Sequence, residues 1–462
     1  MLAKLWLAAR FRDGGHVAIG RARFHRRGCQ KRRAILATAG QTGSMHGARK
    51  PIDEARLEAY SMRLEDIDVS QPELFRRNTM WPYFERLRKE APVHYCPQSR
   101  VGPYWSVTKY KDIMHVETNH RSFSSDVNLG GIGIQNTKPD YRRESFIAMD
   151  EPRHGQQRKT VAPMFLPENL EQLANTIRAR AREILDHLPR NETFNWVDRV
   201  SIELTTQMLA TLFDFPWEER RKLTRWSDVA TAAPGNREII ASEAAREAEL
   251  QECGAYFQEL WNERIKQPPK TGLLSMMAYS EATREMDPRN FLGNLILLIV
   301  GGNDTTRNSL SGSVYALNLF PEQYQKLREN HALVQNLVPE TIRWQTPLAH
   351  MRRTALTDTE IAGKQIKKGE KVVMWYVSGN RDEDMFENAD DFVIERRNAR
   401  NHIAFGFGIH RCLGLRLAEL QLRIVWEEIL QRFETINVVD EPKWVYSNFV
   451  KGYETLPVRI PG

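Results

Sequence analysis

Apolar residues recur at spacings of three and four over 168–188, 201–213, 241–266, 288–319 and 415–433, the period of a helix with one buried face. Alternation is confined to short stretches. Strands are expected at 93–95 and 104–107 around a turn at 97–103, and a smaller β region where 360–361 and 371–377 flank a connection containing Gly363 and Lys364. A β-prone end follows the last helix. Helices outnumber strands, so the expected fold class is mainly α with a small β region. No repeat or low-complexity linker interrupts residues 45–462, which read as a single domain. The longest nearly uninterrupted apolar run, 291–300, is about half of what a membrane span needs, so no transmembrane segment is expected.

Composition changes this picture in two places. Residues 1–44 carry ten Lys or Arg and one acid, whereas the remaining 418 residues hold 56 basic and 58 acidic side chains. The overall charge of +7 therefore belongs to a basic N-terminal extension, and nucleic-acid binding by the domain is not expected. That extension is compatible with a transit peptide or a membrane-surface anchor. The simpler readings are a disordered tail or a reading frame that properly starts at Met45. The four cysteines, Cys29, Cys96, Cys253 and Cys412, lie far apart, which argues against a disulfide scaffold or a structural zinc site and for a reducing cytoplasm. No phosphate loop and no dinucleotide fingerprint follows a strand.

The strongest chemical signal is Phe405-Gly406-Phe407-Gly408-Ile409-His410-Arg411-Cys412-Leu413-Gly414, directly before the last helix. A cysteine there meets free amides and a helix dipole that favour thiolate over thiol. The three glycines leave the backbone bare for a flat, bulky group, and His410 and Arg411 suit a ligand carrying carboxylates. A second signal is Gly301-Gly302-Asn303-Asp304-Thr305-Thr306 within 288–319. Two adjacent glycines inside a helix each cost about 1 kcal/mol relative to Ala, and they make sense where the helix passes something flat or opens a groove. An acid followed by hydroxyls in that groove is suited to proton relay. A third is Glu340 and Arg343, three apart and able to pair on one helix face. Pro339 beside them predicts that this helix starts late.

The ten-residue loop resembles the haem-binding signature of the cytochrome P-450 superfamily of haem-thiolate monooxygenases, and the resemblance covers nearly everything after Met45. It implies the cytochrome P-450 fold and haem b, with Cys412 as the iron's axial ligand and Phe405, Gly406 and Gly414 in the binding loop. It implies oxygen activation at Thr305 with protons fed by Asp304, and a structural network of Glu340 and Arg343 completed by Arg396 or Arg397. His154 and Arg158, four apart on one helix, together with Arg353 and His410, align with the family's haem-propionate partners.

Within the superfamily, the wording of 299–308, 343–348, 378–383 and 447–453 is closest to soluble bacterial hydroxylases of terminal alkane and fatty-acid carbons. The implied reaction inserts one oxygen of O2 into a terminal methyl. A primary C–H bond is stronger than its secondary neighbours, so selectivity must come from a narrow apolar channel. Leu297, Val300, Gly301, Leu348 and Ala349 are the expected lining residues, although each is equally explained by core packing. The glycine-rich loop 127–135 suits a mobile access lid or a poorly packed surface turn. Electrons are expected from a separate 2Fe-2S ferredoxin with an NAD(P)H-dependent reductase, docked on Arg411, Arg416 and Lys159. The competing readings are a cytochrome P-450 of another substrate class, a peroxide-driven peroxygenase and a non-catalytic haem-thiolate sensor.

Overall fold

The long helix predicted at 288–319 is present with those bounds, as α7 in the scheme below. Its start is set by Asp287, whose carboxylate accepts the backbone N–H groups of Arg289 and Asn290 at 2.9 and 3.1 Å, with Pro288 in the first turn where a missing N–H costs nothing. A computed structural model describes residues 49–462; the expectations for the basic extension and Cys29 lie outside these described residues.

In chain order the elements that position the site are β1 (Val93–Cys96), β2 (Tyr104–Val107), α1 (Tyr110–Thr118), β3 (Phe123–Ser124), α2 (Arg153–Val161), α3 (Pro167–Asp186) and α4 (Glu203–Phe213). They continue with α5 (Arg221–Thr231), α6 (Glu243–Arg264), α7 (Pro288–Leu319), α8 (Val334–Gln345), β4 (Met351–Ala355), β5 (Thr359–Ile361), β6 (Lys364–Ile366), β7 (Lys371–Met374) and α9 (Leu415–Arg432). One five-stranded sheet has the order β1–β2–β7–β4–β3. Only the β2–β7 pair within it is parallel, with Trp105 opposite Val372. α7 runs through the helical part, packing on α4, α5, α6, α8 and α9. α3 lies along α9, where the buried Glu428 gathers Arg178, Arg182 and Arg432. No helix of the described residues is long and apolar enough to cross a membrane.

Four expectations need correction. β6 was not foreseen: the two-residue turn Ala362–Gly363, both at positive φ, makes a tight hairpin from a sequence lacking the usual Asn-Gly or Asp-Gly. The strand predicted to 377 ends at Met374, and Tyr376–Gly379 forms one helical turn. The helix predicted from 201 is preceded by a π-helical turn, Val197–Ile202. Finally, α8 does not start late. Pro339 lies inside it, and the Gln335 carbonyl that the proline leaves without its helical donor accepts Arg400 Nη2 at 3.4 Å.

Candidate functional site

α7 and the Cys412 loop both line a cavity of about 780 Å³, a size suited to a large ligand. The two glycines of α7 divide the work expected of both. A Cβ on Gly301 would meet nothing within 4 Å, whereas one on Gly302 would lie 2.6 Å from Leu209 of α4. Gly301 opens the groove; Gly302 lets two helices pack. Thr305, one turn beyond Gly301, faces the cavity and its hydroxyl donates to the Gly301 carbonyl at 2.9 Å.

Asp304 points elsewhere. It is fully buried and does not line the cavity. Its carboxylate pairs with Arg307 at 2.8 Å and accepts the Thr231 hydroxyl at 3.2 Å. Arg307 also pairs with Asp228 of α5 at 2.7 Å, and that carboxylate is partly exposed. Burial pushes the Asp304 carboxyl up, with Arg307 pulling the other way. Asp228, Arg307 and Asp304 thus form a charged chain from near the surface to the residue before Thr305.

The Cys412 loop is closed by the Cys412 N–H, which donates to the Phe405 carbonyl at 2.8 Å. Cys412 lines the cavity. The amides of Gly414 and Leu415 act on Cys412 in the expected direction, with the guanidinium groups of Arg158 and Arg411, while burial in the protein alone raises the thiol above its ordinary value. A bound metal cation would reverse that balance. The loop glycines serve different ends. Gly406 and Gly414 line the cavity, but Gly408 does not. At Gly408, φ is +64° and a Cβ would sit 2.4 Å from the Glu117 carbonyl oxygen, so close packing against α1 demands glycine there.

His154 and Arg158 share α2 as expected, and with Arg353 and His410 they line the same cavity. Their polar atoms are engaged unequally. The ring nitrogens of His154 lie 2.5 and 3.0 Å from the carbonyl oxygens of Phe146 and Ile409. Arg158 donates to the Arg411 carbonyl at 2.6 Å and has no carboxylate partner among the described residues. Burial lowers its pKa, and only Cys412 acts in the other direction. Arg353 pairs with the buried Glu117 at 2.8 Å. Nothing in the sequence distinguishes Glu117 from a surface acid on an amphipathic helix. His410 Nδ1 is buried without a partner among the described residues. A thiol, an unpaired cation, an orphaned ring nitrogen and an unfilled space at Gly301 around one cavity fit a haem carrying carboxylates.

Glu340 and Arg343 form a bidentate pair at 2.7 and 2.7 Å, both fully buried. Arg396 completes the network at 3.1 Å from Glu340, whereas Arg397 is exposed and in no ion pair among the described residues. Of the expected pocket residues, Leu297, Val300, Gly301 and Leu348 line the cavity. Ala349 does not. It is wholly buried in the cluster of Phe75, Trp375 and Val377, with its carbonyl accepting the Val377 N–H at 3.2 Å, because consecutive residues of an extended segment face opposite ways. Sequence reasoning missed Phe449 and Phe165 as lining residues; Phe449 lies in the 447–453 stretch that carries the resemblance, whereas Phe165 belongs to no motif.

A family model described as cytochrome P-450 matches residues 237–451. The linalool 8-monooxygenase of Pseudomonas putida is 35% identical over 86% of this chain and 99% of its own length. The methyl-branched lipid omega-hydroxylase of Mycobacterium bovis is 30% identical over 81% and 90%. Among solved structures, cytochrome P-450-153 of Novosphingobium aromaticivorans superimposes with a TM-score of 0.80 at 48% identity, covering 85% of this chain and 99% of that one.

Proposed function

The chain belongs to the cytochrome P-450 family, a haem-thiolate monooxygenase, and from that premise we propose that it hydroxylates the terminal methyl of medium-chain alkanes, fatty acids or related alkyl compounds. The reaction is R–CH3 + O2 + 2e− + 2H+ → R–CH2OH + H2O. The observation that carries this reading is that a single cavity is lined by Cys412 with Arg158, Arg353, His154 and His410 and also by apolar Leu297, Val300, Leu348, Ile134 and Phe449. The omega-hydroxylase among its relatives supports the same substrate class.

Haem held by the Cys412 thiolate would supply the activation of dioxygen. Arg158, Arg353 and His410 would hold its carboxylates, joined by His154 if its ring turned from the carbonyls of Phe146 and Ile409, since a buried anion without partners is very costly. Thr305 presents a hydroxyl in the cavity beside Gly301. Burial makes the Asp304 carboxyl hold a proton more readily than an ordinary one, while its pairing with Arg307 opposes this; Arg307, held in turn by the partly exposed Asp228, fixes the position of the Asp304 carboxylate. For the proton to reach the cavity, the Asp304 side chain must leave Arg307 by rotation or pass it through water. The apolar walls align an alkyl chain end-on and exclude solvent from the reacting methyl.

Electrons come from a separate 2Fe-2S ferredoxin and its reductase in the cytoplasm. Lys159, Arg411 and Arg416 are exposed beside the Cys412 loop and lack carboxylate partners among the described residues, which suits an acidic partner. Turnover with octane and dodecanoic acid, using a surrogate ferredoxin and reductase and locating the new hydroxyl, tests the reading. Terminal alcohols are expected. Exclusively internal alcohols, or no product with either substrate, would refute it.

A further inference from the structure

The loop 127–136 supplies a wall of the cavity, with Val127, Ile132, Gly133 and Ile134 among the lining residues. Apart from the short 3₁₀ turn Val127–Leu129 it has no regular structure, and it contains Gly130, Gly131 and Gly133. Such a segment would be expected to wander. Instead it is tied to the sheet from behind by two buried cations that do not themselves line the cavity. Arg352 of β4 donates to the Asn136 side chain at 2.8 Å and the Leu129 carbonyl at 3.3 Å. Its backbone N–H donates to the Ile132 carbonyl at 2.7 Å. Lys371 of β7 donates to the carbonyls of Ile134 and Val101 at 2.9 and 2.5 Å. Thr354 adds a bond to the Leu129 carbonyl at 2.8 Å. The fit at Gly130 is tight: a Cβ there would fall 2.1 Å from the Arg352 guanidinium.

Neither cation has a carboxylate partner among the described residues, and the two are only 5% and 6% exposed. Burial pushes Arg352 down to about 10 and Lys371 down to about 8. Two uncompensated buried charges are an expensive way to complete a sheet that apolar side chains would fill at lower cost. What they do that apolar side chains cannot is bind backbone carbonyls of a loop lacking its own ladder.

We propose that Arg352 and Lys371 are positioning residues that clamp loop 127–136 as the wall of the substrate cavity, so that these two side chains, touching neither substrate nor haem, set which carbon is hydroxylated. The proposal rests on the terminal-hydroxylase reading for the wild-type outcome, but the clamp is testable without it. A wall displaced by about 1 Å is enough to change which carbon lies in reach of the reacting centre.

The test uses the haem-loaded full chain and the variants Arg352→Met, Lys371→Met, Arg352→Lys and Thr354→Val. Two quantities are read: amide hydrogen exchange of a peptide spanning 127–136, and the positions of hydroxylation on octane and dodecanoic acid. In either Met variant, exchange in this segment is expected to be roughly tenfold faster, the effect of losing a charged hydrogen bond. The ratio of internal to terminal alcohol is expected to rise roughly threefold or more. Arg352→Lys keeps the charge but not the two-armed reach, and falls between. Should the Met variants fail to fold, Thr354→Val is expected to shift both readouts in the same direction by roughly twofold. Unchanged exchange overturns the proposal, as does faster exchange with an unaltered product distribution. Internal alcohols from the wild type would remove the substrate reading alone; a further shift of position in the variants would still support the clamp.

Discussion

Arg343→Met tests the network that ties the helical part to the Cys412 loop. The Arg343 guanidinium is fully buried and makes five hydrogen bonds. Two go to Glu340, and the others to the carbonyls of Asn380, Ala389 and Asp391 at 2.8, 2.8 and 2.9 Å. Methionine matches the stem and removes the donors. Glu340 would keep Arg396 and the Val393 N–H, and the Asp391 carbonyl would keep Arg396. The carbonyls of Asn380 and Ala389 would be left buried and unpaired at about 1–3 kcal/mol each. With the weakened pairing of Glu340 added, the expected loss is about 5 kcal/mol. At roughly 2.1 cal/mol/K of unfolding entropy per residue over some 400 residues, that lowers Tm by about 6 °C.

The loss also reaches the site. The Asn380 side chain bonds the Thr346 hydroxyl and the Ile403 N–H at 2.9 and 2.8 Å, and Ile403 leads directly into the loop of Cys412. Thermal melts by far-ultraviolet circular dichroism, with the spectrum of the reduced carbon monoxide form recorded in parallel, are the assay. Arg396→Met is expected to cost less, about 2 kcal/mol, because several of its acceptors are solvated. Arg397→Ala is expected to stay within about 0.5 kcal/mol of the parent. A loss below 1 kcal/mol for Arg343→Met, or equal losses at Arg396 and Arg397, would refute the reasoning.

Thr305→Ala and Asp304→Asn are expected to reduce product formed per electron pair by roughly tenfold to a hundredfold without weakening substrate binding; rates and product yields measured together decide it, and unaffected yields would count against dioxygen chemistry. Gly301→Ala extends a methyl into open space and should reduce substrate affinity with Tm preserved, whereas Gly302→Ala collides with Leu209 and should cost about 1–3 kcal/mol of stability. Burial pushes His350 down to about 4, against about 6.5 in an unfolded chain. Between those values the unfolded chain binds the extra proton, so stability falls as pH drops from 6.5 towards 4, by about 3 kcal/mol from this group. His350→Gln should flatten that limb in urea titrations; an unchanged acid slope would contradict it. Reversing the charge of Arg411 and Arg416 should slow reduction by an acidic ferredoxin and remove its salt dependence, and unchanged stopped-flow rates would dismiss the patch.

What the sequence by itself determined is what depends on near neighbours. The bounds of α7 follow from apolar spacing, and a cysteine among glycines before a helix needs no distant partner to be recognised. Glu340 and Arg343 pair because they share one turn. Only the tertiary structure decided the rest. Arg396 rather than Arg397 reaches Glu340, and Arg353 meets Glu117, 236 positions earlier in the chain. Asp304 turns towards α5 while Thr305, its neighbour, turns towards the cavity. Ala349 faces the core, not the pocket beside Leu348. Arg352 and Lys371, unremarkable as letters, become a pair of anchors behind a glycine-rich wall. Local pattern sets which backbone forms, because propensity and periodicity act over a few residues. The partner of a buried charge is set by what packing brings within about 3 Å, and no stretch of neighbouring residues encodes that.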